Sequence, residues 1–586
     1  MSNLQDFLQL LKKSKFDGYL LNASDEYLDE FVPKHLQRLK WLTGFSGSNG
    51  FAIISEKYKA FFTDGRYLTQ AKYELDAEFE IYNLAEIAPH KWLAKHLPDN
   101  FKLAYDPRCF VASEIRNIKK FVTEYAIKLY RSNDNLIDEI WQRTPDNKHQ
   151  AEIIADDFSG KNSKDKIKEL KFLQEITGKQ AYLTCDSATI NWLLNLRAKD
   201  TEFTPLLHCY FLYNKKNSFL YVDKTKISEE VKQYLSKLNI NILSFTEIKD
   251  FVNLCNKSKI KIVNLDPYFV SYFFYGELKK HNITINKISD PIIKAKAIKN
   301  NIEIEHIKYC HILDGVAKTK FLFWLEQQEH NPKLDEILAS EKLLEFRKTH
   351  KEFLFPSFNT ISAYGENGAI IHYNASAKTN KNFKDANLYL VDSGGQYQFG
   401  TTDITRTIAF KKQATKEQKR NFTLVLKGHI ALAQAIFPEK TKGYQLDILA
   451  RKFLWQDNKD YAHGTGHGIG CYLNVHEGPH SISKSSVGNQ LKENMLVTNE
   501  PGFYLENNYG IRIENVVLIQ KNAENNLFFE TISLVPLDEN LISVELLDDA
   551  EKLWLKHYHQ DIFLKIADKL NQFEVNWLKE KIAFYS

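Results

Sequence analysis

Cysteine is scarce in this chain. Six occur in 586 residues, at Cys109, Cys185, Cys209, Cys255, Cys310 and Cys471, and no two form a Cys-x-x-Cys pair. That argues against a disulfide framework and suits buried free thiols in a reducing compartment. Excess charge of one sign is also lacking. The 78 basic and 74 acidic side chains are well mixed and leave a formal charge of +4, which gives no reason to invoke nucleic acid or an anionic membrane. No uninterrupted apolar run approaches the length of a membrane span. The N-terminal stretch Ser2-Asn-Leu-Gln-Asp-Phe-Leu-Gln-Leu-Leu-Lys-Lys is amphipathic, holds Asp6 among its apolar residues and lacks a small-residue cleavage site. It does not read as a secretory signal. A soluble, cytoplasmic protein is expected.

Length alone suggests three or four domains, and 43% hydrophobic content is ordinary for a globular protein. The first 300 residues hold a weak internal repeat. Leu10-Leu-Lys-Lys-Ser-Lys-Phe-Asp-Gly-Tyr-Leu-Leu-Asn leads to Trp41-Leu-Thr-Gly-Phe, and Phe172-Leu-Gln-Glu-Ile-Thr-Gly-Lys-Gln-Ala-Tyr-Leu-Thr leads to Trp192-Leu-Leu-Asn-Leu-Arg. Each copy reads as helix, Tyr-Leu strand and a second helix ending at a Trp. Two similar α/β domains follow, with a polar join near 144–150. A long helical stretch from Ile293 opens a third domain. A second helix is expected around 334–349, then strands interrupted by a helix at about 416–435, and a charged helical tail from about Asp548. Such non-alternating runs predict an α+β class.

Five residues of that third part are the most informative: Asp392, Asp403, His467, Glu500 and Glu514. The first two lie in Leu388-Tyr-Leu-Val-Asp-Ser-Gly-Gly and Thr401-Thr-Asp-Ile-Thr-Arg-Thr, which read as two strands of a hairpin. Two turn-capping aspartates are the bland alternative. His463-Gly-Thr-Gly-His-Gly-Ile-Gly has four glycines in eight residues, which predicts extended backbone rather than a helical His pair. A structural histidine is the bland alternative there. Glu500 precedes Pro501 and Gly502, where a turn residue is ordinary. Gly510-Ile-Arg-Ile-Glu-Asn-Val-Val-Leu-Ile reads as one alternating strand, with Arg512 and Glu514 on one face. A solvated face is the ordinary meaning of such a pair. Taken together, four carboxylates and an imidazole are what a site for two hard divalent cations needs. Crowded carboxylates raise one another's pKa, two such cations cancel their charge, and a shared water could then ionise near neutral pH and attack a carbonyl. Cys471 reads as a small core residue.

With these frames, and with Asn474-Val-His-Glu-Gly-Pro, Trp41-Leu-Thr-Gly-Phe-Ser-Gly-Ser and Thr63-Asp-Gly-Arg-Tyr, the chain closely resembles aminopeptidase P, the Xaa-Pro aminopeptidases of the pita-bread metallopeptidases, in their long cytosolic form. The resemblance covers nearly the whole chain. It implies two creatinase-like N-terminal α/β domains, at 1–148 and 149–298, and a pita-bread catalytic domain at 299–586. It implies that Asp392, Asp403, His467, Glu500 and Glu514 ligate two divalent cations, with Asp403 and Glu514 bridging. Mn²⁺ is the first expectation, and Co²⁺ or Zn²⁺ are the alternatives. His372, His463 and His476 match cleft histidines, and Arg66 matches an arginine that reaches the substrate. Asn499 and Ser46 stand where relatives often have Asp, and neither is a ligand position.

The implied reaction releases the first residue of a peptide with proline second, by attack of a metal-bridging hydroxide. His372, His476 and Glu500 stabilise charge and move protons, and His463 shapes the proline pocket. A homodimer is implied as well. A prolidase shares the metal site but normally lacks the duplicated domain. A methionine aminopeptidase needs no such N-terminal pair, a metal-free creatinase needs no full ligand set, and pita-bread domains that only bind proteins have typically lost ligands.

Overall fold

The repeat read in the sequence is a pair of sheets with one topology. The structure, a computed structural model, describes residues 2–144 and 149–585. The first six strands are Gly18–Asn22, Phe51–Ser55, Lys59–Thr63, Glu80–Asn83, Lys102–Tyr105 and Lys128–Arg131. The second six are Gln180–Thr184, Cys209–Tyr213, Ser218–Val222, Ile240–Leu243, Ile262–Leu265 and Thr284–Lys287. In both sheets the spatial order is 4-3-2-1-5-6 of the sheet's own strands. In both, strands 1, 2 and 3 pair antiparallel and the other neighbours pair parallel. The expected boundary after residue 148 lies outside the described residues.

Both sheets belong to one compact unit, Met1–Asp156 with Lys161–Ile292. They meet through equivalent loops. Asp106-Pro-Arg-Cys-Phe-Val and Asp266-Pro-Tyr-Phe-Val-Ser each follow a fifth strand. Ala112 N–H donates to the Val270 carbonyl at 2.9 Å and Tyr272 N–H to the Phe110 carbonyl at 2.7 Å. The pairing satisfies backbone groups that would otherwise be buried unpaired. One apolar cluster, including Phe110, Ile115, Phe251 and Phe274, then spans both halves.

The second unit is Asp157–Gly160 with Ile293–Ser586. Its entry is not one helix, as expected, but two, Pro291–Ala297 and α1 (Asn301–Glu326). Asn300 breaks them apart, because its side chain caps Glu303 N–H and Glu303 returns the bond. Next come α2 (Glu336–Lys348), β1 (Ile361–Tyr364), β2 (Leu388–Ser393) and β3 (Ile404–Ala409). β1, β2 and β3 form one antiparallel sheet with Asp392 opposite both Ile361 and Thr405. The segment joining β2 to β3 leaves this hairpin to pair with Phe353–Pro356. α3 (Lys416–Ala433) and α4 (Tyr444–Trp455) follow, then β4 (Gly466–Gly468), β5 (Glu477–Ile482), β6 (Leu496–Asn499), β7 (Gly502–Leu505), β8 (Tyr509–Arg512) and β9 (Asn515–Lys521). β9, β6, β4 and β5 are neighbours in a larger sheet. The tail folds as α5 (Asp549–Ile566) and α6 (Gln572–Ala583). Leu555, Ile562, Ile566 and Leu578 enter the main core of this unit, so the tail is packed rather than solvated.

In the first unit His208 is enclosed by carboxylates. Its ring stacks on Tyr27 with centroids 3.9 Å apart, its Nε2 is 2.9 Å from Asp29 and its Nδ1 is 4.0 Å from Asp200. Lys226 pairs with Asp200 at 2.6 Å, and Asp25, Glu26 and Asp186 complete the charged surround. Burial opposes charge on the imidazole, but the carboxylates outweigh it and hold His208 above its ordinary range. Burial pushes Asp25 up to about 7, and pushes Asp29 up as well. All three groups therefore bind protons more tightly folded than unfolded. Their stabilisation is complete below each unfolded pKa and is lost as pH rises through the folded value. These groups should therefore contribute a fall in the thermal midpoint as pH rises from about 4, where an unfolded aspartate titrates, through about 7. Asp25→Asn, neutral throughout, should flatten that slope. An identical slope in wild type and variant would contradict this linkage.

Candidate metal centre

Five side chains from two sheets converge. Asp392 is the penultimate residue of β2, and Asp403 directly precedes β3. His467 is central in β4, Glu500 follows β6, and Glu514 lies between β8 and β9. Two glycines permit the approach. A Cβ on Gly466 would sit 1.9 Å from the Thr498 carbonyl oxygen, and one on Gly468 would sit 2.3 Å from that of Glu477. Only glycine lets β4 run this close to β5 and β6, which explains the glycine-rich frame.

Donor atoms of Asp403, His467 and Glu514 all lie within 4.8 Å of one another. His467 Nε2 is 3.5 Å from Asp403 Oδ2 and 3.5 Å from Glu500 Oε1. Its Nδ1 is 3.0 Å from the Gly468 carbonyl, so Nδ1–H donates there and Nε2 is the nitrogen that faces the carboxylates. Thr405 Oγ1 donates to Glu514 at 2.7 Å, and Arg512 Nη2 donates to Asp392 Oδ2 at 2.7 Å. The side chains of His467 and Glu500 are 21% and 18% exposed, against 5% for Asp403. The cluster is therefore open on its His467–Glu500 side.

The electrostatics are those of a surplus of negative charge. Burial first, then Asp403, Asp392 and Glu500, push Glu514 well above the usual carboxylate range. Burial also raises Glu500, and raises Asp392 despite Arg512. Burial works against charge on His467, but Asp403 and Glu500 outweigh it and push the imidazole up to about 9. Asp392 Oδ1 and Asp403 Oδ1 are buried with no hydrogen-bond partner. Buried carboxylate oxygens without donors are costly unless a cation meets them. With all four carboxylates ionised and His467 neutral, as metal ligands must be, the cluster and Arg512 sum to three negative charges, so one divalent cation would undercompensate and two would not. The donor set fits hard divalent ions.

The other three histidines expected at the site differ in how they are held. His476 meets His467 edge-on with centroids 4.4 Å apart. His463 Nδ1 lies 2.7 Å from the Gly464 carbonyl and its Nε2 lies 2.8 Å from Tyr504 Oη. Tyr504 Oη in turn accepts from Arg512 Nη1 at 2.7 Å. A hydrogen-bonded row, His463–Tyr504–Arg512–Asp392, thus borders the cluster. His372 is half-buried in the loop between β1 and β2. Arg66 belongs to the first unit, where it forks onto Asp64 at 2.9 and 2.8 Å.

One sequence reading changes, and two others gain a structural account. The single strand expected from Gly510 is two, β8 and β9, because β8 pairs with β7 while β9 pairs with β6, and Glu514 occupies the break. Arg512 and Glu514 are not on a solvated face; each is 2% exposed. Asn499 is fully buried and donates to the His429 carbonyl at 2.8 Å, so its departure from the common Asp concerns packing. Tyr504 and Arg406 went unread. Arg406, within Thr-Arg-Thr, donates to the Glu514 carbonyl at 2.7 Å and to Tyr558 Oη of α5 at 2.7 Å, which ties the tail to a site strand. The interrupted polar residue in an apolar strand was the available signal. Cys471 is buried, as expected of a core residue, with Sγ 3.0 Å from the Phe399 carbonyl.

Residues 3–131 and 142–303 each match the Creatinase/Prolidase N-terminal domain, 305–521 match metallopeptidase family M24, and 525–584 match the C-terminal region of that peptidase family. A probable Xaa-Pro aminopeptidase P of Paracoccidioides lutzii is 36% identical over 98% of this chain and 97% of its own length. Aminopeptidase P1 of Lotus japonicus is 35% identical over 96% of each chain. The crystal structure of the X-prolyl aminopeptidase of Caenorhabditis elegans, described as a cytosolic enzyme with a di-nuclear active site, superposes with a TM-score of 0.94, 30% identity and 99% coverage of both chains. The Xaa-Pro dipeptidase of Bacillus anthracis shares the fold over 64% of this chain and 99% of its own, with a TM-score of 0.52 and 23% identity. Two creatinase-type sheets, a cluster of four carboxylates and a histidine, and likeness over the full length make this chain a hydrolytic enzyme of the aminopeptidase P family, within the M24 metallopeptidases.

Proposed function

We propose that the chain is an Xaa-Pro aminopeptidase, releasing the first residue from peptides whose second residue is proline. The observation that carries this reading is the convergence of Asp403, His467 and Glu514 in a chain alike over its whole length to enzymes so named. Asp392, Asp403, His467, Glu500 and Glu514 would hold two divalent cations, Mn²⁺ in first place and Co²⁺ or Zn²⁺ as alternatives. When bound, such ions supply Lewis-acid activation of water and of the scissile carbonyl.

The chain's own residues do the rest. Glu500, on the open side, takes a proton from the attacking water and passes it to the departing proline nitrogen. His372 and His476 donate to the carbonyl oxygen as it gains charge. His463 delivers Nδ1–H to Gly464, so its Nε2 accepts from Tyr504, and its ring would wall the proline pocket. Arg66 would contact the rest of the peptide. The prolyl amide nitrogen bears no hydrogen, so shape complementarity to the ring must replace a hydrogen bond in selection. The domain spans that go with this reading are 1–148, 149–298 and 299–586, and the location is the cytoplasm. Six buried thiols and the cytosolic description of the nematode relative support that location.

A homodimer formed by the catalytic unit belongs to the same reading. Tyr444, Ile448 and Trp455 on α4 are 42%, 51% and 42% exposed, an apolar row that a second copy would cover. Sedimentation should find a dimer that Ile448→Glu converts to monomer, whereas a monomeric wild-type chain would remove the dimer from this reading.

The activity itself is tested with Arg-Pro-Pro and Arg-Ala-Pro peptides, using enzyme stripped by chelator and reloaded with Mn²⁺. Release of arginine alone, from the proline-second peptide alone and only with metal, is expected. Glu500→Gln should lower kcat by about 10²–10⁴-fold. Cleavage of an Xaa-Pro dipeptide but not of the tripeptide would point instead to a dipeptidase.

A further inference from the structure

Glu336, the first residue of α2, is fully buried, and the donors that meet its carboxylate among the described residues are neutral. Its carboxylate collects donors from both ends of one loop. Tyr364 N–H, where the loop leaves β1, reaches Oε1 at 2.7 Å, and Lys381 N–H, seventeen residues on, reaches Oε2 at 3.0 Å. Asn367 Nδ2 lies 2.9 Å from Oε1, and Tyr373 Oη donates to Oε2 at 2.8 Å. The backbone around it joins in: Glu336 N–H donates to the Lys381 carbonyl at 3.2 Å, and Ile337 N–H to Asn380 Oδ1 at 3.2 Å. One carboxylate therefore staples a loop that carries His372, immediately before Tyr373.

The loop also has a fixed place against the metal-centre strands. A Cβ on Gly510 would sit 1.7 Å from the Gly368 carbonyl oxygen, so the loop backbone lies directly on β8. Ile370 and Tyr373 pack in one cluster with Ile361, Leu390 and Tyr504. A loop otherwise free to sample many backbone states is held at its two ends, its middle and one flank. Charge-assisted hydrogen bonds from backbone and side-chain donors to a buried carboxylate are the strong kind.

We propose that Glu336 is a positioning residue for the reaction: it aims His372 into the cleft by closing the loop 364–381 on itself. This rests on the reading of His372 as a substrate-facing group. Misplacement of such a group by about 1 Å costs roughly 10²-fold in rate.

The test uses the full-length, Mn²⁺-loaded enzyme and a double-mutant cycle of Glu336→Gln and His372→Ala, with hydrogen exchange as a second readout. Glu336→Gln should lower kcat by about 10–100-fold, leave metal stoichiometry unchanged, and speed exchange in 365–381 but not in 388–409. In the His372→Ala background the same substitution should lower kcat no further. Tyr373→Phe, which removes one donor only, should show a smaller loss with the same non-additivity, and it decides the matter should Glu336→Gln not fold. Losses that multiply independently, or full kcat in both loop variants, would overturn the positioning role. Full kcat in His372→Ala would overturn the reading of His372 and the proposal with it.

Discussion

The cost of gathering four carboxylates in one buried cleft governs this molecule. Two charges removed from water cost several kcal/mol each even after relaxation, and here the four are near neighbours. Arg512 answers Asp392, and Thr405 answers one oxygen of Glu514. Asp392 Oδ1 and Asp403 Oδ1 are answered by no protein donor. The result is the upward push on Glu514, Glu500 and Asp392, and a His467 drawn toward its charged form. A protein keeps such an arrangement when cations complete it, and the scaffold serves to hold the donors until they do.

That scaffold works through close approach and through anchors set back from the cleft. Gly466 and Gly468 bring His467 to the carboxylates of neighbouring strands. Arg406 binds the carbonyl of Glu514, the side chain of Asn515 and Tyr558 of the tail helix. Glu477 does related work beside His476. It pairs opposite Gly468 in the β4–β5 ladder and is held by Lys296 at 2.6 Å and by Lys299. Those two lysines come from the segment that opens the second unit, so its entry is fastened next to His476.

Much of this was legible in the sequence because it repeats or because it breaks a rule. The duplication showed in two Tyr-Leu strands leading to a Trp, and the sheets share one strand order. Asp392 and Asp403 could be placed on a hairpin because β-branched runs flanked a glycine turn. The packing anchors were not legible. Arg406 and Arg512 look like solvent-facing strand residues until the strands that cover them are known. Glu336 looks like any acidic residue in a first helical turn, since its partners lie 28 to 45 residues away. The break at Ile513–Glu514 was hidden for the same reason: alternation continues through it while the hydrogen-bond partner changes from β7 to β6. Local pattern reports period and capping, and it does not report which distant strand lies opposite.

The charge balance of the cleft is most directly tested by titrating the chelator-stripped chain with Mn²⁺ in buffers of different ionisation enthalpy, with metal counted independently by mass spectrometry. Two ions per chain are expected, with protons released as His467 and the raised carboxylates give way to metal. Substituting Asp403→Asn should remove at least one of the two sites. Uptake of no metal, or of a single ion with no proton release, would contradict a cleft built to be neutralised by two cations.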